Sequence, residues 1–166
     1  METLVIGLGN PILGDDGVGW VVAEKVQKTL ADRPSPATGE QEVRVDFASL
    51  GGLSLMERLT DTERVILIDS MNTGKKPVGS VSRFVLSELP DLNAGHSASA
   101  HDTSLRNALN VGRSMNINLP EDDEVIIVAI EAEDVYDFSE ELSQSVAEAV
   151  PQAVKMVLDL LETPKS

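Results

Sequence analysis

The sequence predicts an α/β fold, a three-layer α/β/α sandwich on a mostly parallel five-stranded sheet with one antiparallel strand. Three observations support it. Short apolar, β-branched runs alternate along the chain with longer segments of helical periodicity. Most of these runs are separated by enough residues for a helical crossover, which is the connection that parallel strands need. The chain has 166 residues, of which 42% are hydrophobic and 25% charged, so we expect one globular domain spanning 1–166.

The chain begins with a strand, a loop and a helix. Residues 3–8 form a β-branched run that ends near glycine, which is typical of a buried strand. The loop at 9–19 is dense in turn-forming residues. Either Asp15 or Asp16 is suited to cap the helix that follows. The apolar residues of this helix recur at helical spacing, at Val18, Val21, Val22, Val26 and Leu30.

The next part of the chain is predicted to form two strands with a short helix between them. Two prolines and a glycine at 31–41 indicate a surface loop. Residues 42–47 alternate apolar and polar side chains like a strand, and 51–59 carry leucines and a methionine at helical spacing. Residues 64–68 form a second buried strand, which Asp69 follows directly.

One strand is expected to run against the others. Residues 79–86 alternate like a strand, but they follow the preceding strand too closely for a helical crossover, so they should pair antiparallel. The Gly-, Ser-, Ala- and Asn-rich stretch 89–100 is predicted to be a mobile loop. A helix is expected at 101–113, and a third strongly apolar strand at 124–130.

The last predicted helix spans 139–162, with a stripe of valines and leucines on one face. Pro151 lies within that pattern. Because proline removes a helical hydrogen bond, we expect it to kink the helix or to mark a second start.

Charge and composition exclude several classes of function. The chain has 13 Lys and Arg against 28 Asp and Glu, a formal net charge of −15, which repels nucleic acids and anionic membranes. The absence of cysteine excludes disulfides, thiolate clusters and a cysteine nucleophile. No apolar run approaches the ~20 residues that a membrane span needs, and the start lacks the basic region of a signal peptide. We therefore expect a cytoplasmic protein without nucleic-acid or membrane partners, by default a monomer.

Functional residues are expected at one edge of the sheet. In open α/β sheets, ligands bind outside the carboxyl ends of the strands. This rule selects the loop 9–19, the turn 46–52 and the turn 69–73, which should lie together.

The glycines of the first loop do not predict a nucleotide site. Gly7, Gly9 and Gly14 give the spacing G-x-G-x-x-x-x-G instead of the dinucleotide pattern G-x-G-x-x-G. Asp15 and Asp16 occupy the place of the phosphates, which carboxylates would repel.

Asp16, Asp69 and His101 are the candidate metal ligands. A carboxylate directly after a buried strand is costly unless a hydrogen bond, a cation or solvent compensates it, although Asp69 could instead cap the turn 71–74. His101 opens a helix, where a neutral imidazole is free to bind a metal. Two carboxylates and an imidazole suit an incompletely coordinated Ni²⁺ or Zn²⁺. We assign no specific part to His96.

The sequence resembles the maturation endopeptidases of [NiFe]-hydrogenases over nearly its whole length. The resemblance is strongest in the Gly7–Asn10 and Leu13–Gly19 segments. It continues, in order, through Asp46, Ser49–Gly51, Val65–Asp69, Pro77–Val81, His101, Leu105, Val128–Glu131, Phe138–Ser143, Val146, Val150 and Pro151.

The resemblance implies a function and a site. Members of the family remove a C-terminal peptide from the precursor of the hydrogenase large subunit after nickel insertion, and they are classed as aspartic-type. The positions of Asp16, Asp69 and His101 correspond to their metal site. The nickel belongs to the substrate, and zinc or cadmium could replace it in crystals. Asp15 and Asp46 are further candidates for carrying a proton.

Two departures from the family pattern bear on the choice of substrate. Phe47 and Ala48 stand where family members often have two glycines, and the linker 94–100 is longer and lacks a proline before His101.

Two alternative functions are compared with this one. Peptidyl-tRNA hydrolases share the Gly7–Pro11 opening, but they need a histidine soon after it and a basic surface, and this chain has neither. A non-proteolytic module that binds or senses nickel on the same scaffold would bind metal without cleaving a precursor.

Overall fold

The computed structural model describes residues 2–33, 41–49, 51–88, 100–133 and 135–163, with the backbone alone at 100–104. The strands are β1 (Glu2–Leu8), β2 (Glu42–Ala48), β3 (Arg64–Met71), β4 (Val81–Val85) and β5 (Val125–Glu131). The helices are α1 (Val18–Ala31), α2 (Gly52–Arg58), α3 (Ala100–Ser114) and α4 (Gln144–Glu162). Short 3₁₀ turns lie at Gly14–Gly17, Leu86–Glu88 and Asp122–Glu124.

The strands form a five-stranded sheet in the order β2-β1-β3-β5-β4. All neighbouring pairs are parallel except β4 with β5, which is antiparallel. Ile6 of β1 is level with Asp46 of β2 and with Leu67 of β3, so these strands end at one edge. The predicted fold class, its single antiparallel strand and the common edge of the three selected turns are confirmed.

Helices cover both faces of the sheet. Leucines of α2 and α3, such as Leu55 and Leu109, are buried against one face together with Leu4 and Leu67. Apolar residues of α1 and α4 are buried on the other face. This two-sided burial explains why β1, β3 and β5 are almost uniformly apolar, as central parallel strands are.

Helix α1 approaches the sheet closely because Gly19 has no side chain. A Cβ atom there would lie 2.3 Å from the carbonyl oxygen of Ile68 and 2.4 Å from that of Leu8. These distances are far below van der Waals contact, so this position requires glycine. The contact holds the start of α1, and the loop before it, against the ends of β1 and β3.

We expect Gly19→Ala to lower the free energy of unfolding by about 2–3 kcal/mol, because the added methyl must push α1 away from two backbone carbonyls. Urea unfolding followed by circular dichroism measures this change. A variant within 0.5 kcal/mol (roughly the effect of a surface change) of the wild type would contradict the close packing.

The boundaries of α4 differ from the prediction. The helix begins at Gln144 instead of 139, because Ser139 pairs with Leu13 in a parallel bridge and is held extended. The helix continues across Pro151, so this residue does not mark a second start. Pro151 is exposed, as is Ala147, whose carbonyl loses its helical partner and can face water.

Parts of two predicted loops fall outside the described residues, namely 34–40 of the first and 89–99 of the second, which includes His96. In the part of the chain that the structure describes, no helix combines the length and the apolar character that crossing a membrane requires.

Candidate functional site

Asp16 lies in the 3₁₀ turn between β1 and α1, at the carboxyl edge of the sheet. Its Oδ2 accepts a hydrogen bond from the backbone N–H of Asn10 at 2.8 Å. Gly9 makes this tight turn possible: its φ is +120°, and a Cβ atom there would lie 1.9 Å from the carbonyl oxygen of Asp16. The loop is thus folded back on itself, and the Asp16 carboxylate is fixed near the end of β1.

Asp69 lies near the end of β3 and is 1% exposed. Its Oδ1 accepts a hydrogen bond from the backbone N–H of Ser70 at 2.9 Å. The hydroxyl of Ser70 donates to Oδ1 of Asp16 at 3.3 Å. One serine therefore joins the two carboxylates predicted as ligands, although they are separated by more than fifty residues in sequence.

His101 lies in the first turn of α3, in a segment where the backbone alone is described. The direction of the helix follows from the segment after its other end. There, Asn118 pairs with Asp61, which lies just before β3 and therefore at the amino edge of the sheet. A helix of 15 residues extends about 22 Å, so its first turn lies toward the carboxyl edge. The imidazole is outside the described side chains, and its role as a ligand stays a prediction.

Asp15 has a different role from its neighbour. It is 0% exposed, and its carboxylate accepts hydrogen bonds from the N–H of Ser143 at 2.7 Å, the hydroxyl of Ser143 at 2.8 Å and the N–H of Glu133 at 3.0 Å. The prediction that Asp15 or Asp16 caps α1 is wrong, because the N-cap is Gly17, and no side-chain hydrogen bond caps the helix. Asp15 instead holds the start of α4 against the first loop.

Asp46, the third acid near this edge, is bound to α2. Its Oδ2 pairs with Nη1 of Arg58 at 2.7 Å, and its Oδ1 accepts from the N–H of Phe47 at 2.8 Å. Phe47, one of the departures from the family pattern, packs against Trp20 with ring centroids 5.4 Å apart. These contacts give Asp46 a structural role in joining β2 to α2.

Sequence reasoning missed two residues at this edge. Ser70 carries no sequence signal for its bridging contact. Glu131, at the end of β5, is buried, and its Oε1 accepts from the N–H of Thr73 at 2.9 Å, from the hydroxyl of Thr73 at 2.7 Å and from the N–H of Gly74 at 2.9 Å. It fixes the turn after β3. An acid directly after a buried strand was the signal that selected Asp69, and it applies equally to Glu131.

The position of the two carboxylates suits a ligand. In a sheet of order β2-β1-β3-β5-β4, successive connections leave β1 and β3 in opposite directions. The point between the carboxyl ends of these two strands is the topological switch point of the sheet, where open α/β sheets bind ligands in a crevice. Asp16 follows β1 and Asp69 lies near the end of β3, so both are at this switch point. Among the described side chains, which leave out that of His101, no three acids or imidazoles are grouped closely enough to hold a metal ion.

The fold and this edge define an α/β sandwich protein with two carboxylates, those of Asp16 and Asp69, at the switch point of its sheet. Comparison with known proteins identifies the family. The model of the hydrogenase maturation protease family, HycI, matches residues 21–160, and the chain belongs to this family.

Individual relatives agree with this assignment. A Methanocaldococcus jannaschii protein provisionally named a hydrogenase maturation protease is 28% identical over 95% of this chain and 94% of its own length. The maturation protease HybD from Thermococcus kodakarensis has a similar fold, with a TM-score of 0.73 and 23% identity over 97% of this chain and 99% of that one. The HybD endopeptidase of E. coli gives the same TM-score of 0.73 at 20% identity, over 98% and 93% of the two chains.

Proposed function

We propose that this protein is a nickel-dependent endopeptidase that removes the C-terminal peptide from the precursor of a [NiFe]-hydrogenase large subunit. Membership of the hydrogenase maturation protease family supports this function. The observation on which it depends is the joining of Asp16 and Asp69 through Ser70 at the switch point of the sheet. An anionic crevice of this kind attracts a cation that another molecule carries.

In this proposal, Asp16, Asp69 and His101 bind the nickel ion of the precursor and so place its C-terminal tail beside the crevice. Water then adds to the scissile carbonyl carbon, the C–N bond breaks, and the leaving nitrogen takes up a proton. The precursor's metal or one of the two carboxylates activates the water or polarises the carbonyl. The chain has no cysteine nucleophile, and an aspartic-type assignment agrees with carboxylates at the site.

A three-ligand site is a reason for the metal to arrive with the substrate. Two carboxylates and one imidazole leave coordination positions open, and nickel binds more tightly when softer ligands of the precursor complete its shell. Affinity for the precursor then depends on its nickel, since the two binding events are thermodynamically coupled. The enzyme would therefore select precursors that have already received their metal.

The direct test is incubation of the purified protein with a nickel-loaded and with a nickel-free precursor large subunit, followed by mass spectrometry. We expect loss of a C-terminal peptide from the loaded precursor alone. Cleavage of both forms would contradict the nickel dependence. Nickel binding with no change in the mass of either precursor would favour the non-proteolytic nickel module instead.

Ser70 provides a second test, on nickel binding by the protein alone. Ser70→Ala removes the hydroxyl that donates to Asp16 but keeps the backbone N–H that binds Asp69. Loss of such an outer contact to a ligand typically costs 10–100-fold in metal affinity, so we expect about tenfold weaker nickel binding in calorimetric titration.

Ser49→Ala is the matched control for Ser70→Ala. Ser49 lies at the same edge, but its hydroxyl donates to the carbonyl of Gly9 at 2.8 Å and not to a carboxylate. We expect this variant to bind nickel like the wild type. Equal affinity in the wild type and in Ser70→Ala would show that the hydroxyl does not position Asp16.

A further inference from the structure

Three large apolar side chains are exposed on the loop that carries Asp16 and on the segment that follows β5, and we call them the aromatic surface: Ile12, Tyr136 and Phe138. Ile12 is 46% exposed, Tyr136 81% and Phe138 85%. Exposed apolar side chains that are grouped on neighbouring segments are typical of interaction sites, whereas singly exposed ones are common on any protein surface. Neither aromatic ring contributes to the two described hydrophobic cores.

The aromatic surface is fixed to the loop that carries Asp16. The N–H of Ser139 donates to the carbonyl of Ile12 at 2.9 Å, and the N–H of Gly14 donates to the carbonyl of Ser139 at 2.7 Å. A depression of about 200 Å³ lies between the two segments, with Pro11 and Gly17 on one side and Leu142 on the other. The aromatic surface therefore lies on the loop that carries Asp16 and on the segment that is hydrogen-bonded to that loop.

The chain segment that carries Tyr136 and Phe138 is strongly acidic. The exposed acids nearest to it in sequence are Glu133, Asp137, Glu140 and Glu141. No lysine or arginine occurs anywhere between positions 131 and 143. We call these four acids the acidic rim, and their negative charge favours a cationic partner.

We propose that the aromatic surface binds the C-terminal segment of the precursor, which follows the scissile bond. This segment would be a polypeptide stretch with apolar side chains and a net positive charge. This inference rests on the proposed function, since it names the part of the substrate that the surface accepts. A second copy of this chain is a poor occupant, because each copy has a formal charge of −15 and the same acidic rim. The apolar rings supply contact area, and the acids attract and orient the basic side chains.

The test is the double variant Tyr136→Ala/Phe138→Ala, assayed with the nickel-loaded precursor for both binding and cleavage. We expect the dissociation constant and KM to rise about tenfold or more, since aromatic anchors dominate interface energetics. The maximal rate at saturating precursor should fall much less, because the proposal gives the two rings a part in binding the precursor and none in the reaction. Glu140→Gln/Glu141→Gln should also weaken binding, and added salt should weaken the binding of the wild type.

The matched control is Val111→Ala/Met115→Ala, which removes two other exposed apolar side chains near the far end of α3. We expect this variant to bind the precursor like the wild type. Unchanged binding by Tyr136→Ala/Phe138→Ala, or an equal loss in the control, would overturn the proposal. So would a concentration-dependent dimer of the wild type that the aromatic variant converts to monomer.

The binding and cleavage readouts separate the two proposals. A wild-type protein that binds the precursor through the aromatic surface but cleaves nothing would contradict the peptidase function and leave the docking site intact. Cleavage with unchanged KM in the aromatic variant would contradict the docking site and leave the peptidase function intact.

Discussion

Replacing either Asp16 or Asp69 by asparagine is expected to reduce cleavage of nickel-loaded precursor by more than about 100-fold. Changes in residues that merely contact a metal ligand lower metal affinity or activity by up to about 100-fold. Loss of the charge of a metal ligand itself should lower the cleavage rate by more than that. The fold should survive. In Asp16→Asn, the amide oxygen can still accept from the N–H of Asn10, while the new NH₂ group donates to the hydroxyl of Ser70. The variant therefore removes a charge with little change in packing.

Single-turnover cleavage followed by mass spectrometry measures this loss, with circular dichroism to confirm folding. Asp46→Asn is the matched control, because Asp46 is an acid near the same edge whose carboxylate is bound to Arg58. We expect it to cleave at nearly the wild-type rate. His101→Ala belongs in the same series and tests the third ligand. Wild-type rates in Asp16→Asn, Asp69→Asn and His101→Ala would rule out the proposed site.

The fold was predictable because its signals are local. Each central strand is buried on both faces and is therefore an uninterrupted apolar run, as in 64–68. The antiparallel direction of β4 followed from the short connection before it. The parallel arrangement then brought the ends of β1 and β3 together, and with them Asp16 and Asp69. Periodicity, connection length and the rule for strand ends were sufficient for this part of the site.

The roles of Asp15 and Ser139 were not predictable from local patterns. Asp15 and Asp16 are adjacent and chemically identical, yet Asp16 contacts Asn10 and Ser70 whereas Asp15 contacts Ser143, which is 128 residues away in sequence. Apolar periodicity extended the last helix back to 139, but the backbone of Ser139 pairs with the first loop. In both cases long-range hydrogen bonds decide the structure, and a single sequence carries no pattern for them.

Asp15→Ala is expected to cause the largest loss of stability among the variants considered, about 3–5 kcal/mol in the free energy of unfolding. The substitution leaves three donors without their acceptor in a buried site: the N–H and hydroxyl of Ser143 and the N–H of Glu133. Hydrogen bonds to a charged group each contribute about 1.5–3 kcal/mol, and their loss here is only partly additive because the three share one carboxylate. Asp15→Asn should lose less stability than Asp15→Ala, because its amide oxygen still accepts a hydrogen bond on one side. It should remain less stable than the wild type, because its NH₂ group faces a donor on the other side.

Urea unfolding of Asp15→Ala, Asp15→Asn and the wild type measures these differences, and Asp46→Ala is the control. Asp46 pairs with Arg58, and both side chains are more than a third exposed, so its removal should cost no more than about 1 kcal/mol. A cost of under about 1 kcal/mol for Asp15→Ala would mean that water replaces the carboxylate at this position. The expected large loss would separate the two adjacent aspartates, since Asp15 would then be shown to join the first loop to α4, whereas Asp16 is the residue that we propose binds the precursor's cation.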